Sequence, residues 1–562
     1  MDFKEEIARA LSEKTELAVQ EIAGMLETPP DPAMGDYAFP CFKLAKTMRK
    51  APNLIAQELS ETVSLPACVK SASPAGGYLN FQLDRTAQAR NVLERIREEG
   101  DRYGGSDEGK GRNICIDYSS VNIAKPLHIG HLPSTVLGNS LYRIFNHLGY
   151  RSVGINHLGD WGTQFGKMIV AYKLWGSRET VEKGGVDELV KLYVRFHQEA
   201  ENNEELNDQA RAWFKKIEDN DPEAMELFNW FKEITLKEVH EIFDMMGIHF
   251  DSYAGESFYN DKMDRVVDEL REKGLLKLDQ GAQIVDLSEY KMPPCIILRS
   301  DGATLYATRD IAAAFYRKDT YDFAKCLYVV AYQQNLHFRQ WFKVVELMGY
   351  EWSKDLVHVA FGMVSGTEGA FSTRKGNMVK LRDVLEASIE KTRAIIREKS
   401  PDLENADAIA KEVGIGALVW SMLYNGRIKD VVFDWDTILN FDGETGPYVQ
   451  YTHARACSVL RKDTPKGTPD YELLNDDQSR ALLAALAAFP DAVREAAEKY
   501  EPYLVARSVM EICQTFNRFY YEQRIMTDDL PLRNARLALT EATRNVLAIG
   551  LNLMGLSAPE RM

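Results

Sequence analysis

Changes in the spacing of apolar residues divide the 562-residue chain into three parts. In the first part, Ile7 and Leu11 follow helical spacing, and the segment 77–83 alternates as a strand does. A tract rich in glycine, aspartate and lysine at 100–111 indicates a linker. The pattern predicts a small N-terminal α/β domain over residues 1–105.

The second part follows the order strand, helix, strand. Asn113 to Tyr118 has the apolar run of a buried strand, Thr135 to Leu148 has helical spacing, and Arg151 to Asn156 is again strand-like. Such a βαβ unit predicts a parallel sheet with a ligand site at the carboxyl ends of its strands.

Further segments extend this second domain to about residue 400. Residues 326–331 and 357–363 are strand-like, and a helical pattern covers 309–317 between the two halves of the sheet. Residues 175–250 are highly charged and have helical periodicity throughout. We therefore expect a Rossmann-like parallel-sheet domain over residues 106–400, with a helical insertion near 175–250.

Beyond residue 400 the strand pattern fades. Helical spacing recurs in five segments, which are 408–424, 448–461, 479–489, 502–521 and 533–550. This part predicts a separate, all-helical domain over residues 401–562.

Composition limits the class of protein. The net charge of −16 argues against a nucleic-acid partner, although a large chain can carry one RNA-facing surface within an acidic whole. The seven cysteines form no CxxC pair, so neither a disulfide framework nor a protein-held metal is expected. The longest apolar run, Ala481 to Pro490, is too short to span a bilayer, and we expect a cytoplasmic protein with no membrane partner.

The first chemically distinctive segment lies between the first strand of the βαβ unit and its helix. The start of a helix offers free backbone N–H groups and a positive dipole, which suit a triphosphate. Two histidines three residues apart share one side of a helical turn, and a glycine between them lets a flat base approach. The candidate ATP-binding residues here are Asn122, Ala124, Lys125, Pro126, His128, Gly130 and His131. The alternative is a helix start with two incidental histidines.

A second segment, 370–377, is small, polar and doubly cationic. It could close over a pyrophosphate leaving group and neutralise charge that develops at phosphorus. Its candidate ATP-binding residues are Ser372, Thr373, Arg374 and Lys375. By itself such a loop is more often a solvated basic turn, but two loops of these kinds in this order are far more specific than either.

The two loops resemble the HIGH and KMSKS signatures of class I aminoacyl-tRNA synthetases, and the surrounding sequence is similar to the arginyl-tRNA synthetase family. The similarity covers essentially the whole chain, including the segments 119–126, 157–166, 306–314, 446–451 and 558–562. Two departures stand out: Pro133 replaces a usual arginine, and Thr373 replaces the second lysine of other class I loops. Proline is tolerated in a first helical turn, and the lysine is commonly missing in the arginyl group.

The resemblance implies an arginine–tRNA ligase that consumes ATP with Mg²⁺, L-arginine and tRNA(Arg). Arginyl-adenylate and pyrophosphate form first, and arginine then passes to the 3′ end of the tRNA. The residues expected to act on the triphosphate are Lys125, His128, His131, Arg374 and Lys375. A monomer is expected.

A guanidinium requires carboxylate or carbonyl acceptors, because it is a fixed fork of donors that stays charged. The candidate arginine-binding residues are Asp117, Ser119, Asn122, His157, Glu256, Tyr306, Asp310 and Gln334. The resemblance implies that Asp117 and Asn122 hold the α-amino group, whereas Asp310, Tyr306 and either Gln334 or Gln333 surround the side chain. Trp161 could contact substrate or simply fill the core.

Basic and aromatic residues suggest where RNA could bind. Lys43, Lys46 and Arg49 lie on one predicted helical face that carries no acid, which fits phosphate contacts but also an ordinary solvated face. In the helical domain the candidates are Tyr448, Tyr451, Arg455 and Arg518. The resemblance implies that this domain reads the anticodon and the N-terminal domain touches the tRNA elbow.

Two other functions are compatible with parts of this pattern. A small-molecule nucleotidyltransferase also uses an HxGH loop but does not need the helical domain after residue 400. A retired paralogue that binds tRNA without catalysis would not need both loops intact.

Overall fold

The structure is a computed structural model that describes residues 3–300, 302–366, 369–370 and 379–562. It divides into two compact units. The first unit consists of residues 1–103, 455–488 and 511–547. The second consists of residues 104–454, 489–510 and 548–562.

Helices account for most of the chain. In the described residues the α-helices are α1 (Phe3–Ser12), α2 (Val19–Met25), α3 (Leu44–Met48), α4 (Pro52–Thr62), α5 (Arg85–Glu99), α6 (Leu132–His147), α7 (Gln164–Trp175), α8 (Arg178–Ala200), α9 (Glu204–Glu218), α10 (Pro222–Met246), α11 (Met263–Glu272), α12 (Tyr306–Tyr321), α13 (Asn335–Leu347), α14 (Leu381–Lys399), α15 (Ala406–Leu423), α16 (Trp435–Ile438), α17 (Gly446–Leu460), α18 (Asp477–Lys499), α19 (Tyr503–Glu522) and α20 (Leu530–Leu553).

Strands are short and fall into four sheets within the same residues. They are β1 (Tyr37–Pro40), β2 (Val69–Ala75), β3 (Tyr78–Leu83), β4 (Asn113–Asp117), β5 (Arg151–Ile155), β6 (Leu276–Asp279), β7 (Ala282–Val285), β8 (Cys295–Leu298), β9 (Lys325–Tyr328), β10 (Leu356–His358), β11 (Val364–Gly366), β12 (Gly369–Ala370) and β13 (Val431–Phe433).

In the first unit an antiparallel sheet of order β1-β3-β2 is covered by the N-terminal helices. The helical spacing of Ile7 and Leu11 is confirmed, since both side chains are fully buried in the same core as Phe39 and Phe81. The predicted α/β character of this region is therefore confirmed. Strand β2 was not predicted, because most of its residues are exposed and its sequence does not alternate.

One helix of the C-terminal region is longer than predicted. Helix α18 continues through Pro490, where the sequence had indicated an end near 489. Proline has no N–H, so the carbonyl of Leu486 loses the donor that residue 490 would supply. In the structure the hydroxyl of Tyr103 donates to that carbonyl at 2.9 Å, and this buried hydrogen bond satisfies it.

The second unit contains the predicted parallel sheet. Its order is β10-β9-β4-β5, with every neighbouring pair parallel. Helix α6 connects β4 to β5, which confirms the βαβ unit, and Pro133 lies in the first turn of that helix as expected. Strands β9 and β10 end at Tyr328 and His358, earlier than the sequence pattern predicted.

The chain between β5 and β9 carries the helical insertion. Helices α8, α9 and α10 occupy residues 178–246 and confirm the expectation for residues 175–250. A small antiparallel sheet of order β6-β7-β8 follows and was not predicted. Its first strand is almost entirely exposed, so no apolar face is visible in the sequence.

The expectation that strands cease after residue 400 is wrong at one place. Strand β13 pairs in parallel with β11, with Val364 opposite Val431 and Gly366 opposite Phe433. Three residues are too few to show a period, and charged residues flank them. In the part of the chain that the structure describes, no helix has the length and apolarity needed to cross a bilayer.

The hydrogen bond from Tyr103 to Leu486 generates a test by double-mutant cycle. Tyr103→Phe removes only the hydroxyl and leaves a buried carbonyl without its donor, which should cost roughly 1–3 kcal/mol of stability. In a Pro490→Ala background the new N–H of residue 490 can donate to Leu486, so the same substitution should cost less than half as much. Chemical denaturation of the four proteins measures both values, and equal costs in the two backgrounds would contradict this role of Tyr103.

Candidate active site

The site begins at the carboxyl edge of the parallel sheet. From β4 the chain passes to β5 on one side, and it later returns to β9 on the other side, so the strand order reverses at β4. Asp117, the last residue of β4, is in register with Ile155 on one side and Tyr328 on the other. In open parallel sheets this reversal point is where ligands bind.

Asp117 is paired with a buried arginine from helix α12. One carboxylate oxygen accepts from Arg317 Nη2 at 2.7 Å, and the other accepts from the Ser120 hydroxyl at 3.2 Å. The Arg317 side chain is 1% exposed, and its guanidinium lies 5.3 Å from the ring centre of Tyr328. Loss of either partner would leave an uncompensated buried charge, so the pair fixes the position of both elements.

His157, which follows β5, lies beside the same guanidinium. Its Nδ1 is 3.4 Å from Arg317 Nη2, and its ring stacks on Tyr259 with 5.5 Å between ring centres. Burial lowers the pKa of His157, and nearby Arg317 lowers it further, against the opposing effect of Asp117. Because a guanidinium can only donate, the neutral imidazole carries its proton on Nε2.

The two histidines of the first loop form a compact pair. Residues 129–131 are a turn of 3₁₀ helix, and His128 caps it by accepting the Gly130 N–H at Nδ1 over 3.1 Å. His131 Nδ1 lies 3.2 Å from the His128 backbone N–H, and the two ring centres are 4.0 Å apart. The expectation that both rings share one side of a helical turn is therefore confirmed.

Both imidazoles are held neutral. Burial lowers the pKa of His131 to about 3, with a further lowering from His128, and burial followed by the charge of Lys125 lowers the pKa of His128. Since His128 Nδ1 accepts a backbone N–H, its proton is on Nε2, which becomes a hydrogen-bond donor. The neutral imidazole of His128 can therefore donate its Nε2–H to a phosphate oxygen.

The backbone leading to the histidines is strained. Ser119, Ser120 and Ala124 have φ values of 70°, 48° and 60°, in the left-handed region that favours glycine. Ser119 is buried, its N–H donates to the Ser134 hydroxyl at 3.0 Å, and its own hydroxyl accepts from Thr135. Ser119 is thus engaged with helix α6.

Asn122 and Lys125 are exposed, whereas Ala124 and Pro126 are buried. Segment 121–123 continues the strand pairing beyond Asp117, because the Gly159 N–H donates to Val121 at 2.8 Å and the Ile123 N–H donates to Gly159 at 3.1 Å. A Cβ at Gly159 would lie 2.3 Å from the Asn122 amide oxygen, so a larger residue there would displace the Asn122 side chain. The turn after β5 is in this way locked to the first loop.

Trp161 in that turn packs on the helical insertion. Its ring makes edge contacts with Phe214 and Phe228, at centre distances of 5.2 and 6.3 Å. Of the two alternatives for Trp161, these contacts favour the packing role.

An acidic group lies near the same sheet edge. Glu256 is 3.8 Å from Arg309 Nη1, and Asp310 accepts from His337 Nε2 at 2.5 Å. Burial raises the pKa of Glu256 to about 7, Arg309 opposes the rise, and the charges of Asp160 and Asp310 add to it. These carboxylates are close enough to repel each other, and a cation bound among them would relieve that repulsion.

Tyr306, the first residue of α12, is 68% exposed. Gln333 and Gln334 are both exposed in the 3₁₀ turn before α13, so their positions do not distinguish between them. All three side chains are accessible to a ligand.

The predicted residues Ser372, Thr373, Arg374 and Lys375 lie outside the described residues. The segment that follows them does contact the first loop. The Ile129 N–H donates to Val379 at 3.0 Å, and the Leu381 N–H donates to Leu127 at 2.9 Å. This pairing places residues 379–381 beside His128.

The RNA candidates are scattered over both units. In the first unit Lys43, Lys46 and Arg49 are exposed on a short helical segment. Lys43 ends a 3₁₀ turn, Lys46 lies in the five-residue α3, and Arg49 ends that helix with φ of 51°.

Arg455 and Arg518 also belong to the first unit. Arg455 donates to Asn517 and to the Tyr521 hydroxyl, the latter at 3.2 Å, and its guanidinium lies 5.1 Å from the ring centre of Tyr520. Arg518 is exposed. In the second unit, Tyr448 is half-buried and Tyr451 is 39% exposed.

Several residues of the site were not found from the sequence. They are Arg317, Arg309, His337, Asp160, Lys232 and Thr235. Arg317 did carry a signal, since it lies seven residues after Asp310 on the same side of α12, among alanines and a phenylalanine that indicate a buried face.

Comparison with known proteins gives the family. Three family descriptions match in chain order: "Arginyl tRNA synthetase N terminal domain" at residues 1–83, "tRNA synthetases class I (R), catalytic domain" at 93–435, and "DALR anticodon binding domain" at 449–562.

Individual relatives agree with these matches. The arginine–tRNA ligase of Clostridioides difficile (strain 630) is 54% identical over 564 residues, which covers 100% of both chains. That of Alkaliphilus metalliredigens (strain QYMF) is 52% identical with the same coverage. The solved structure of Thermus thermophilus arginyl-tRNA synthetase matches with a TM-score of 0.80 and 27% identity, covering 100% of this chain and 99% of that one. The chain therefore belongs to the arginyl-tRNA synthetases, the arginine–tRNA ligases of class I, as its two loops predicted.

Proposed function

We propose that this protein activates L-arginine with ATP, taken as its magnesium complex, and transfers the arginine to the 3′ end of tRNA(Arg) for protein synthesis. The observation that carries the proposal is the arrangement of Glu256 and Asp310. The Glu256 N–H donates to Leu158 after β5 at 2.9 Å, and the charge of Asp310 acts on both Glu256 and His157, so the two carboxylates lie near the sheet edge from which the histidine loop also starts. Joining arginine to AMP requires an acidic pocket for the guanidinium beside a site for the triphosphate of ATP.

ATP is held by the first loop in this proposal. Asn122 and Lys125 are exposed at its mouth, Gly130 admits the base, and His128 offers Nε2–H to a phosphate oxygen. Ser372, Thr373, Arg374 and Lys375 close over the β- and γ-phosphates and neutralise the leaving pyrophosphate.

Arginine is held at the carboxylate side. Its guanidinium lies between Glu256 and Asp310, with Tyr306 and Gln334 beside it. Asp117, Asn122, Ser119 and His157 order the end that carries the α-amino group, with Asp117 held in place by Arg317. Bidentate carboxylate pairing rejects lysine, which cannot fill a fork-shaped site.

The reaction has two steps. An oxygen of the arginine carboxylate attacks the α-phosphorus of ATP, the bond to the bridging oxygen breaks, and pyrophosphate leaves with its electron pair. The terminal 2′-hydroxyl of the tRNA then attacks the adenylate carbonyl, its proton is released, and AMP leaves. No protein nucleophile is needed, because positioning and electrostatic stabilisation lower both barriers.

The tRNA contacts follow the three predicted domains. Residues 1–105, with Lys43, Lys46 and Arg49, touch the elbow, residues 106–400 hold the acceptor end, and residues 401–562 read the anticodon through Tyr448, Tyr451, Arg455 and Arg518. The protein acts as a monomer in the cytoplasm.

The function is tested by aminoacylation of mixed tRNA with each of the twenty amino acids. Only arginine should be incorporated, with release of AMP and pyrophosphate. Incorporation of another amino acid, or adenylylation of a small molecule without tRNA, would refute the proposal.

The role of His128 predicts a specific pattern of variants. His128→Asn keeps an acceptor near the Nδ1 position that caps the 3₁₀ turn but loses the Nε2 donor, so kcat for adenylate formation should fall about 10²–10³-fold, as for other lost transition-state donors. His128→Gln places an amide donor near Nε2 and should recover part of the loss. Pyrophosphate exchange with tRNA present measures both, and an unchanged kcat in His128→Asn would rule out the donor role.

The raised pKa of Glu256 predicts a pH dependence. Its carboxyl has a pKa of about 7, so it is ionised above that pH and neutral below it. A neutral carboxyl cannot pair with a guanidinium, and the KM for arginine should therefore rise as pH falls from 8 to 6, by up to tenfold per unit below the pKa. Glu256→Gln should raise KM and flatten this dependence. A wild-type KM that is constant over this range would contradict the assignment.

A further inference from the structure

Helix α10 of the insertion touches both halves of the site through two residues on one face. Thr235 and Lys232 are three positions apart, so their side chains lie on the same side of the helix. Thr235 contacts the segment that carries the histidines, and Lys232 contacts the turn after β5. Both ends of α10 are capped: the Asp221 side chain accepts a backbone N–H at its start, and Gly247 ends the helix with φ of 65°.

Thr235 holds the strained residue Ala124. The Ala124 N–H donates to Thr235 Oγ1 at 3.1 Å, and the Thr235 hydroxyl in turn donates to the Phe231 carbonyl at 2.8 Å. The single hydroxyl proton is thus committed to the helix, and the oxygen is left to accept from Ala124. Thr235 is fully buried, so water does not compete for this bond.

The hydrogen bond from Ala124 to Thr235 fixes the backbone at the entry to the triphosphate site. A left-handed alanine persists only where its surroundings impose it. Lys125 follows Ala124 directly, and Pro126 restricts the backbone of Lys125 to extended conformations. The Ala124 conformation therefore determines the direction of the backbone as it approaches His128.

Lys232 acts on the arginine half through Asp160. Its ammonium is 2.6 Å from one oxygen of Asp160, a carboxylate with no exposed side-chain surface. The Asp160 carboxylate also accepts the Ser257 N–H at 2.9 Å and the Ser257 hydroxyl at 2.8 Å. Ser257 adjoins Glu256, so the ion pair holds the backbone that carries the guanidinium-binding carboxylate.

We propose that Thr235 and Lys232 are positioning residues through which helix α10 sets the geometry of the ATP half and the arginine half of the site separately. The inference rests on the proposed function, because it assigns one substrate to each half. It predicts that each residue controls the kinetic parameters of its own substrate.

Thr235→Val tests the first contact, because it keeps the shape of threonine but removes the acceptor. It should raise KM for ATP and lower kcat of pyrophosphate exchange, together by about tenfold in kcat/KM, while KM for arginine stays within twofold. Thr235→Ser keeps the oxygen and should restore most of kcat/KM. If Thr235→Val is not recovered folded, Thr235→Ala is measured by the same criterion.

Lys232→Met tests the second contact and should raise KM for arginine several-fold with KM for ATP unchanged. Lys237→Met, at an exposed position of the same helix, is the matched control for loss of a lysine. If the buried Asp160 charge prevents folding, the pair Lys232→Met with Asp160→Asn removes both charges and should show the same selective effect.

The outcomes separate the two proposals. Wild-type protein that does not arginylate tRNA refutes the proposed function, and the inference falls with it. Active wild-type protein with variants that lose only thermal stability, or that change both KM values equally, refutes the positioning role alone. Equal kcat/KM in Thr235→Val and Thr235→Ser would also overturn it.

Discussion

Strand β4 hydrogen-bonds to β5 on one side and to β9 on the other, and the rest of the site depends on this double pairing. Its register brings Asp117, Ile155 and Tyr328 to one edge, from which three segments leave the sheet. A slip of one residue would turn every side chain of β4 to the opposite face and move Asp117 out of reach of Arg317. The pairing continues past the sheet through Asn122 and Gly159, so the histidine loop inherits the same register.

The two sides of this sheet edge carry different charged groups. On one side, burial lowers the pKa of His128 and of His131, so both imidazoles are neutral beside the charged Lys125. On the other side, Glu256, Asp310 and Asp160 face Arg309, His337 and Lys232. Burial is the main cause of the raised pKa of Glu256, and the charges of Asp160 and Asp310 add to it.

Much of this could be predicted from the sequence, for physical reasons that differ between elements. Helices such as α6 and α10 have a long apolar period, and β4 has an uninterrupted apolar run, so both were visible. Short strands such as β6 and β13 have no such period. The carbonyl of Leu486, which Pro490 leaves without its usual donor in α18, accepts from Tyr103, 383 residues away in the sequence.

At the candidate site, too, the sequence revealed local motifs but not contacts between distant residues. His128, His131 and Asp310 lie in local motifs and were named from them. Arg317 and Thr235 act on residues 200 and 111 positions away, so only the fold reveals their partners.

In the proposed function, one sheet edge holds ATP and the guanidinium of arginine side by side. A crystal structure with a non-hydrolysable arginyl-adenylate analogue tests this arrangement most directly. The guanidinium should lie within hydrogen-bond distance of Glu256 and Asp310, with His128 Nε2 facing the phosphate position. A guanidinium that points away from both carboxylates, or a phosphate remote from His128, would contradict it.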